Sequence, residues 1–310
     1  MKIIFMGTPE FAVPSLEILL TNNFTISAVV TAPDKPRGRG QQVSFTPVKV
    51  FAQQHAIPVL QPETLRDTHF ISTLANFNPD LFIIVAFRIL PKEVYSIPTK
   101  GSFNLHASLL PKYRGAAPIN WAIINGEKES GVTTFFLQDK VDTGNIILQK
   151  RIPITDEMNA GKLHDALSEI GSNAVLETVR LIESGNANPQ QQDNTLASPA
   201  PRIFKETCRI NWNQSAERIH NFVRGLSPYP AAWTVHNDKQ IKIFRSKNSE
   251  FRIQNPELKT GAIISDQNKI FVITSHGSVE ILELQQEGKK RMSAEEFLRG
   301  YRFSDDAKFV

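Results

Sequence analysis

Three short apolar runs dominate the first 90 residues: KIIFM at 2–6, ISAVV at 26–30 and LFIIVA at 81–86. They are rich in β-branched residues and nearly continuous in apolar character, as strands buried on both faces are. Helical patterns at about 11–21 and 46–55 lie between them. Strand and helix in alternation predict an α/β fold with a doubly wound, mostly parallel sheet. Ligands of such sheets sit in the crevice outside the carboxyl ends of the strands, so the loops that follow strands are the ones to inspect. The first, MGTPEF, holds one glycine; without the second and third glycines that admit a pyrophosphate and pack the helix, it does not fit a dinucleotide-binding site. In the second, APDKPRGRGQQ, Lys35, Arg37 and Arg39 alternate with Pro36, Gly38 and Gly40. It reads as a mobile basic arm, unable to form strand or helix and suited to phosphates.

Residues 159–184 carry an apolar stripe at helical spacing: Leu163, Leu167, Ile170, Val175, Val179 and Ile182. The Pro-, Asn- and Gln-rich stretch 185–201 has the composition of a linker. A short helix near 214–224 and the runs IKIF (241–244), AIIS (262–265), IFVIT (270–274) and VEILEL (279–284) then predict a small antiparallel β-barrel. We therefore expect a first domain at 1–188, a linker at 189–203 and a second domain at 204–310. Residues 1–203 hold 18 Lys+Arg and 18 Asp+Glu, whereas 204–310 hold 17 and 13, so the whole excess of +4 lies in the last third. That asymmetry suits a C-terminal module that touches a polyanion.

One cysteine, Cys208, excludes an internal disulfide framework and a cysteine zinc site, and reads as a buried apolar residue. Histidines 55, 69, 106, 164, 220, 236 and 276 show no ligand spacing, so no metal is expected. No run approaches the roughly 18 apolar residues of a membrane helix, and the N-terminus enters a strand pattern at once. A soluble cytoplasmic protein without signal peptide or membrane contact is expected.

Asn104 and His106, two apart in a predicted strand, share one face, and Asp142 follows in DKVDTGNI. No serine or cysteine accompanies them as an activated nucleophile, so a covalent acyl-enzyme is not the natural reading. Asn is a permanent neutral donor suited to an oxyanion. His can polarise the same oxygen or move a proton. Asp can fix the histidine's protonation or accept a proton from an amine. Together they suit direct acyl transfer between two nitrogens. Each also has a structural explanation, Asp in D-T-G being a common turn residue. D-T-G occurs in aspartic proteases too, but those need a second carboxylate, and one such motif is present here.

GTPEFAVPSLEIL at 7–19, TAPDKPRGRG at 31–40, FNLHASLLPKYRGAAPINWAI at 103–123, VDTGNII at 141–147 and GKKRMSAEEF at 288–297 together closely resemble the methionyl-tRNA formyltransferase family. The resemblance implies a formyltransferase-type, Rossmann-like catalytic domain followed by an OB-like barrel that contacts tRNA. It implies 10-formyltetrahydrofolate as donor, initiator methionyl-tRNA as acceptor and tetrahydrofolate as product; a monomer is expected. The family's catalytic trio maps onto Asn104, His106 and Asp142. Its folate contacts map onto Ser108, Leu109, Leu110 and Pro111 and onto Phe87, Arg88, Ile89 and Leu90. Its tRNA-entering insert maps onto Lys35, Arg37 and Arg39. The alternatives are formyl transfer to a small amine such as a nucleotide amino sugar, or a tRNA-binding protein without catalysis. Two departures stand out. Arg88 occupies a position where the family often has glycine, which would strain the backbone if φ there were positive. Gln41 and Gln42 stand where lysines are frequent, which implies weaker salt dependence of tRNA binding.

Overall fold

The computed structural model describes residues 1–37, 42–249 and 259–310. In chain order, β1 (Lys2–Gly7), α1 (Val13–Thr21) and β2 (Thr25–Val30) form the first crossover unit. Next come β3 (Lys35–Arg37) and β4 (Gln42–Ser44), then α2 (Pro47–Gln54), β5 (Val59–Leu60), α3 (Thr68–Asn76), β6 (Leu81–Val85), α4 (Lys92–Tyr95) and β7 (Ser102–His106). Further along are β8 (Arg114–Gly115), α5 (Pro118–Ile124), β9 (Glu129–Phe136), β10 (Ile146–Pro153), α6 (Ala160–Glu183) and β11 (Pro199–Ala200). The remainder is α7 (Ala216–Leu226), β12 (Ala232–His236), β13 (Lys239–Ser249), β14 (Ile263–Asp266), β15 (Lys269–Ile273), β16 (Ser278–Gln286), β17 (Met292–Ser293) and α8 (Ala294–Gly300).

The large sheet runs β10-β9-β7-β6-β1-β2-β5. β5, β2, β1, β6 and β7 are parallel, and β9 joins antiparallel on β7. Its central strands are apolar on both faces because both faces are covered: Ile3 to Met6 and Leu81 to Ile83 are fully buried. Local chemistry sets the helix starts. Thr46 caps α2 by accepting from Lys49 N (3.1 Å), with Pro47 preorganised in the first turn. Asp67 caps α3 by accepting from His69 N and Phe70 N.

The basic segment after β2 differs from the expectation in part. Lys35–Arg37 and Gln42–Ser44 pair antiparallel, Pro36 opposite Val43, as a two-stranded ribbon. Proline removes one ladder donor, which an isolated ribbon with no further neighbour tolerates. Arg39 lies outside the described residues.

The chain forms two compact units that interleave: 1–115, 130–152 and 164–200 in one, 116–129, 153–163 and 201–310 in the other. Segment 116–129 joins the second because α5 packs on α7: Asn120 donates to Gly225 O (2.8 Å), and a Cβ on Gly225 would meet Ile124 at 2.6 Å.

The second unit is an antiparallel sheet, β12-β13-β16-β15-β14, with β17 on β16. The C-terminal tail bridges both of its edges. Ile263 N donates to Ala307 O and Phe309 N to Gly261 O at the β14 side, while Val235 and Val310 exchange a pair of 3.0 Å bonds at the β12 side. The tail thereby closes the sheet into a barrel and removes edges that would otherwise template pairing. Trp212, Ile219, Val223, Ile241, Ile243 and Phe309 belong to its core. Cys208 is buried there, its thiol pushed up by desolvation. Among the described residues no helix is long and apolar enough to cross a membrane.

Candidate active site

β7 ends at the carboxyl edge of the parallel sheet, the edge where α/β ligands bind, and its last residue is His106. Asn104, two residues earlier on the same face, is half-buried, and its amide has no hydrogen-bond partner among the described residues. His106 is buried, and its Nε2 lies 2.8 Å from Tyr113 O. A carbonyl only accepts, so Nε2 carries a proton and donates. The remaining nitrogen, Nδ1, faces Asp142 Oδ2 at 3.9 Å. That gap is too long for a hydrogen bond, yet a third polar atom lying to one side can contact both.

Asp142 arrives from the loop between β9 and β10 with φ +56°, a conformation that Asp tolerates better than most residues. Gly115 N donates to the same Oδ2 (2.9 Å). Gly115 itself has φ +124°, and a Cβ would lie 2.7 Å from Ala200 O, so only glycine brings this N–H so close. Of the three polar residues singled out from sequence, His106 and Asp142 face each other, and Asn104 lies on the same strand face two residues before His106. Tyr113, Gly115 and Gln192, which hold them, were not singled out; R-G at 114–115 was a visible turn signal, but nothing local marks Gln192.

The S-L-L-P segment follows directly after β7 and is braced from within. Ser108 Oγ donates to Lys112 O, Thr133 Oγ1 donates to Ser108 O, and Gln149 Nε2 donates to Leu110 O. Ser108 and Leu110 are buried, leaving Leu109 and Pro111 partly accessible. The loop after β6 turns at Ala86, φ +48°, whereas Arg88 is not among the positive-φ residues. The positive φ thus falls on Ala86, two residues before Arg88. Arg88 donates to Glu63 O (3.0 Å) and Pro62 O (2.8 Å), and burial lowers its pKa. Ile89 is 74% exposed and Leu90 buried, beside a cavity of about 520 Å³ that also involves Arg66, Lys92, Tyr95 and Asp139. Tyr95 donates to Asp139 (2.5 Å), which pushes the phenol up to about 12. Lys35 is exposed, and Arg37 is placed through its backbone in β3.

The sequence pattern of the family described as formyl transferase matches residues 1–179, and that of the formyl transferase C-terminal domain matches residues 202–302. The chain belongs to the formyl transferase family. This formyltransferase is 48% identical over 313 residues to a methionyl-tRNA formyltransferase of Flavobacterium johnsoniae, covering 99% of the chain and 98% of the relative. It is 49% identical to that of Chlorobium phaeovibrioides, over 97% and 96%. Among solved structures, a sugar 3N-formyl transferase in the presence of dTDP and 5-N-formyl-THF superposes with TM-score 0.68 at 24% identity, covering 94% and 99%. A methionyl-tRNA formyltransferase from Clostridium thermocellum gives 0.55 at 17%, covering 88% and 99%. These two likenesses are of fold alone.

Proposed function

We propose that this formyltransferase moves a formyl group from 10-formyltetrahydrofolate to the α-amino group of methionine on initiator tRNA, for initiation of protein synthesis. The carrying observation is identity of 46–49% to methionyl-tRNA formyltransferases over nearly the whole chain. Sugar formyltransferases are only distant structural relatives. We read residues 1–188 as the catalytic domain, 189–203 as a linker that packs back on that domain, and 204–310 as the OB-like tRNA-binding domain of a cytoplasmic monomer.

The folate supplies a formyl carbon already bonded to nitrogen. The loops fit such a ligand: Ile89 offers an open apolar face, and the partly accessible Leu109 and Pro111 directly follow the strand that carries His106. Phe87–Leu90 and Ser108–Pro111 are the residues assigned to hold it. The unpartnered Asn104 amide donates to the formyl oxygen as negative charge develops there. His106, with Nε2 committed to Tyr113, acts through Nδ1: as the imidazolium it donates to that oxygen and can pass a proton to the leaving nitrogen. Asp142 accepts the proton of the attacking amine, directly or through water. An α-amino group next to an ester titrates below the ordinary value of about 7.7, so the neutral nucleophile is available near neutrality. The amine loses one proton and the leaving nitrogen gains one, so the reaction consumes none. Lys35, Arg37 and Arg39 are assigned to the tRNA acceptor end.

Labelled formyl transfer to methionyl-tRNA, free methionine ester and a nucleotide amino sugar, run in parallel, tests the reading. Strong preference for the charged tRNA is expected; equal use of a small acceptor would overturn the tRNA assignment.

A further inference from the structure

Gln192 stands in the stretch whose composition reads as a linker, yet it is 5% exposed, and every hydrogen-bonding position of its amide is used. Oε1 accepts from Arg114 Nε (3.2 Å) and Nη2 (2.6 Å). Nε2 donates to Asp142 O (2.9 Å) and Gly144 O (2.8 Å). Two carbonyls on one side and a guanidinium on the other fix which end of the amide is which.

Both carbonyls belong to the D-T-G loop. Asp142 sits at φ +56°, where the backbone needs support. At Gly144 the loop passes so close to β9 that a Cβ would lie 1.6 Å from Phe136 O. The residue after Arg114 is Gly115, whose N–H holds the Asp142 carboxylate. Arg114 is anchored in turn: its N donates to Ser198 O (2.9 Å), its Nη2 also reaches Asn194 Oδ1 (2.8 Å), and β8 pairs in parallel with β11. One closed circuit therefore runs from Asp142 backbone through Gln192, Arg114 and Gly115 to the Asp142 carboxylate.

We infer that Gln192, oriented by Arg114, is a positioning residue that sets the Asp142 carboxylate against His106 Nδ1, which makes segment 190–200 part of the catalytic apparatus. The inference rests on the reading of Asp142 as proton acceptor. An acceptor must come within about 2.6–3.2 Å of the amine, and a displacement of about 1 Å costs on the order of 100-fold.

The test is a double-mutant cycle on formyl transfer to methionyl-tRNA, with thermal midpoints measured alongside. Gln192→Met keeps length and volume while removing both donations. It is expected to lower kcat by about 10–100-fold with both KM values little changed. In an Asp142→Asn background it should cost nothing further, because the group it positions is gone. A strut that merely stabilises the loop would give additive losses, which would overturn the inference. So would wild-type kcat for Gln192→Met while Asp142→Asn is crippled. Full activity in Asp142→Asn would instead sink the underlying reading of Asp142. Should Gln192→Met fail to fold, Arg114→Lys, which keeps the charge but loses the two-pronged grip on Oε1, is expected to show a smaller kcat loss with the same coupling.

Discussion

At Asn104 a single amide is the proposed donor to the developing oxyanion. It is half-buried and has no protein partner among the described residues, so its amide is open to a ligand atom without breaking any bond within the fold. Asn104→Ala is expected to lower kcat by about 10²–10³ with the KM for tRNA nearly unchanged, as loss of one oxyanion donor does. Steady-state kinetics check this, and a matching rise in KM would make Asn104 a binding residue instead. His106 shows what geometry adds to a motif. The N-x-H spacing identified the residue, but only the bond to Tyr113 O assigns its role to Nδ1.

Among the elements, the β3–β4 ribbon includes Lys35 and Arg37, and the task proposed for the basic segment is tested with salt. Lys35→Ala combined with Arg39→Ala should raise the KM for methionyl-tRNA, leave the KM for the folate unchanged, and flatten log KM against log salt by nearly two phosphate contacts. An effect on folate KM would show the ribbon misassigned. Helix α7 carries His220, half-buried with Nδ1 3.2 Å from Ser246 Oγ. Desolvation and then the Arg224 guanidinium hold this imidazole below its ordinary value of 6.5. The unfolded chain therefore binds the proton more readily, so the His220 contribution to stability is full above about pH 6.5 and lost as pH falls through the lower folded value. His220→Gln should flatten the fall in thermal midpoint between about pH 7 and 5; parallel curves would remove His220 from the acid response.

The same scale shows what the sequence made legible. β1, β2, β6, α1, α2 and α6 were readable because each is an apolar run or stripe whose period survives burial. β12 was missed because AWTVH mixes a half-exposed tryptophan with polar residues, its pairing with β13 being decided only in the sheet. The trio was readable as residue types. Its supports were not, since Gly115 meets Ala200 only through the pairing of two-residue strands far apart in the chain, and Gln192 reaches the D-T-G loop and Arg114 only through side-chain hydrogen bonds.

For the whole molecule, two features bear on function together. The excess charge of +4 falls entirely within residues 204–310, where the barrel lies. That barrel depends on its last residues for closure. Phe309 is 2% exposed and stacks on Trp212 at 5.6 Å between centroids. Phe309→Ala is expected to cost about 3–5 kcal/mol and to weaken tRNA binding more than folate binding. Denaturant melts with both ligands check this, and unchanged stability would show that the tail is dispensable. At the centre stands the proposed formyl transfer to charged tRNA by Asn104, His106 and Asp142. Its most direct measurement is the single-turnover rate from 10-formyltetrahydrofolate to methionyl-tRNA, wild type against Asp142→Asn, with tRNA affinity measured in the same samples. A rate lower by about 10²–10⁴ at unchanged affinity is predicted; a rate near that of the wild type would remove Asp142 from the chemistry.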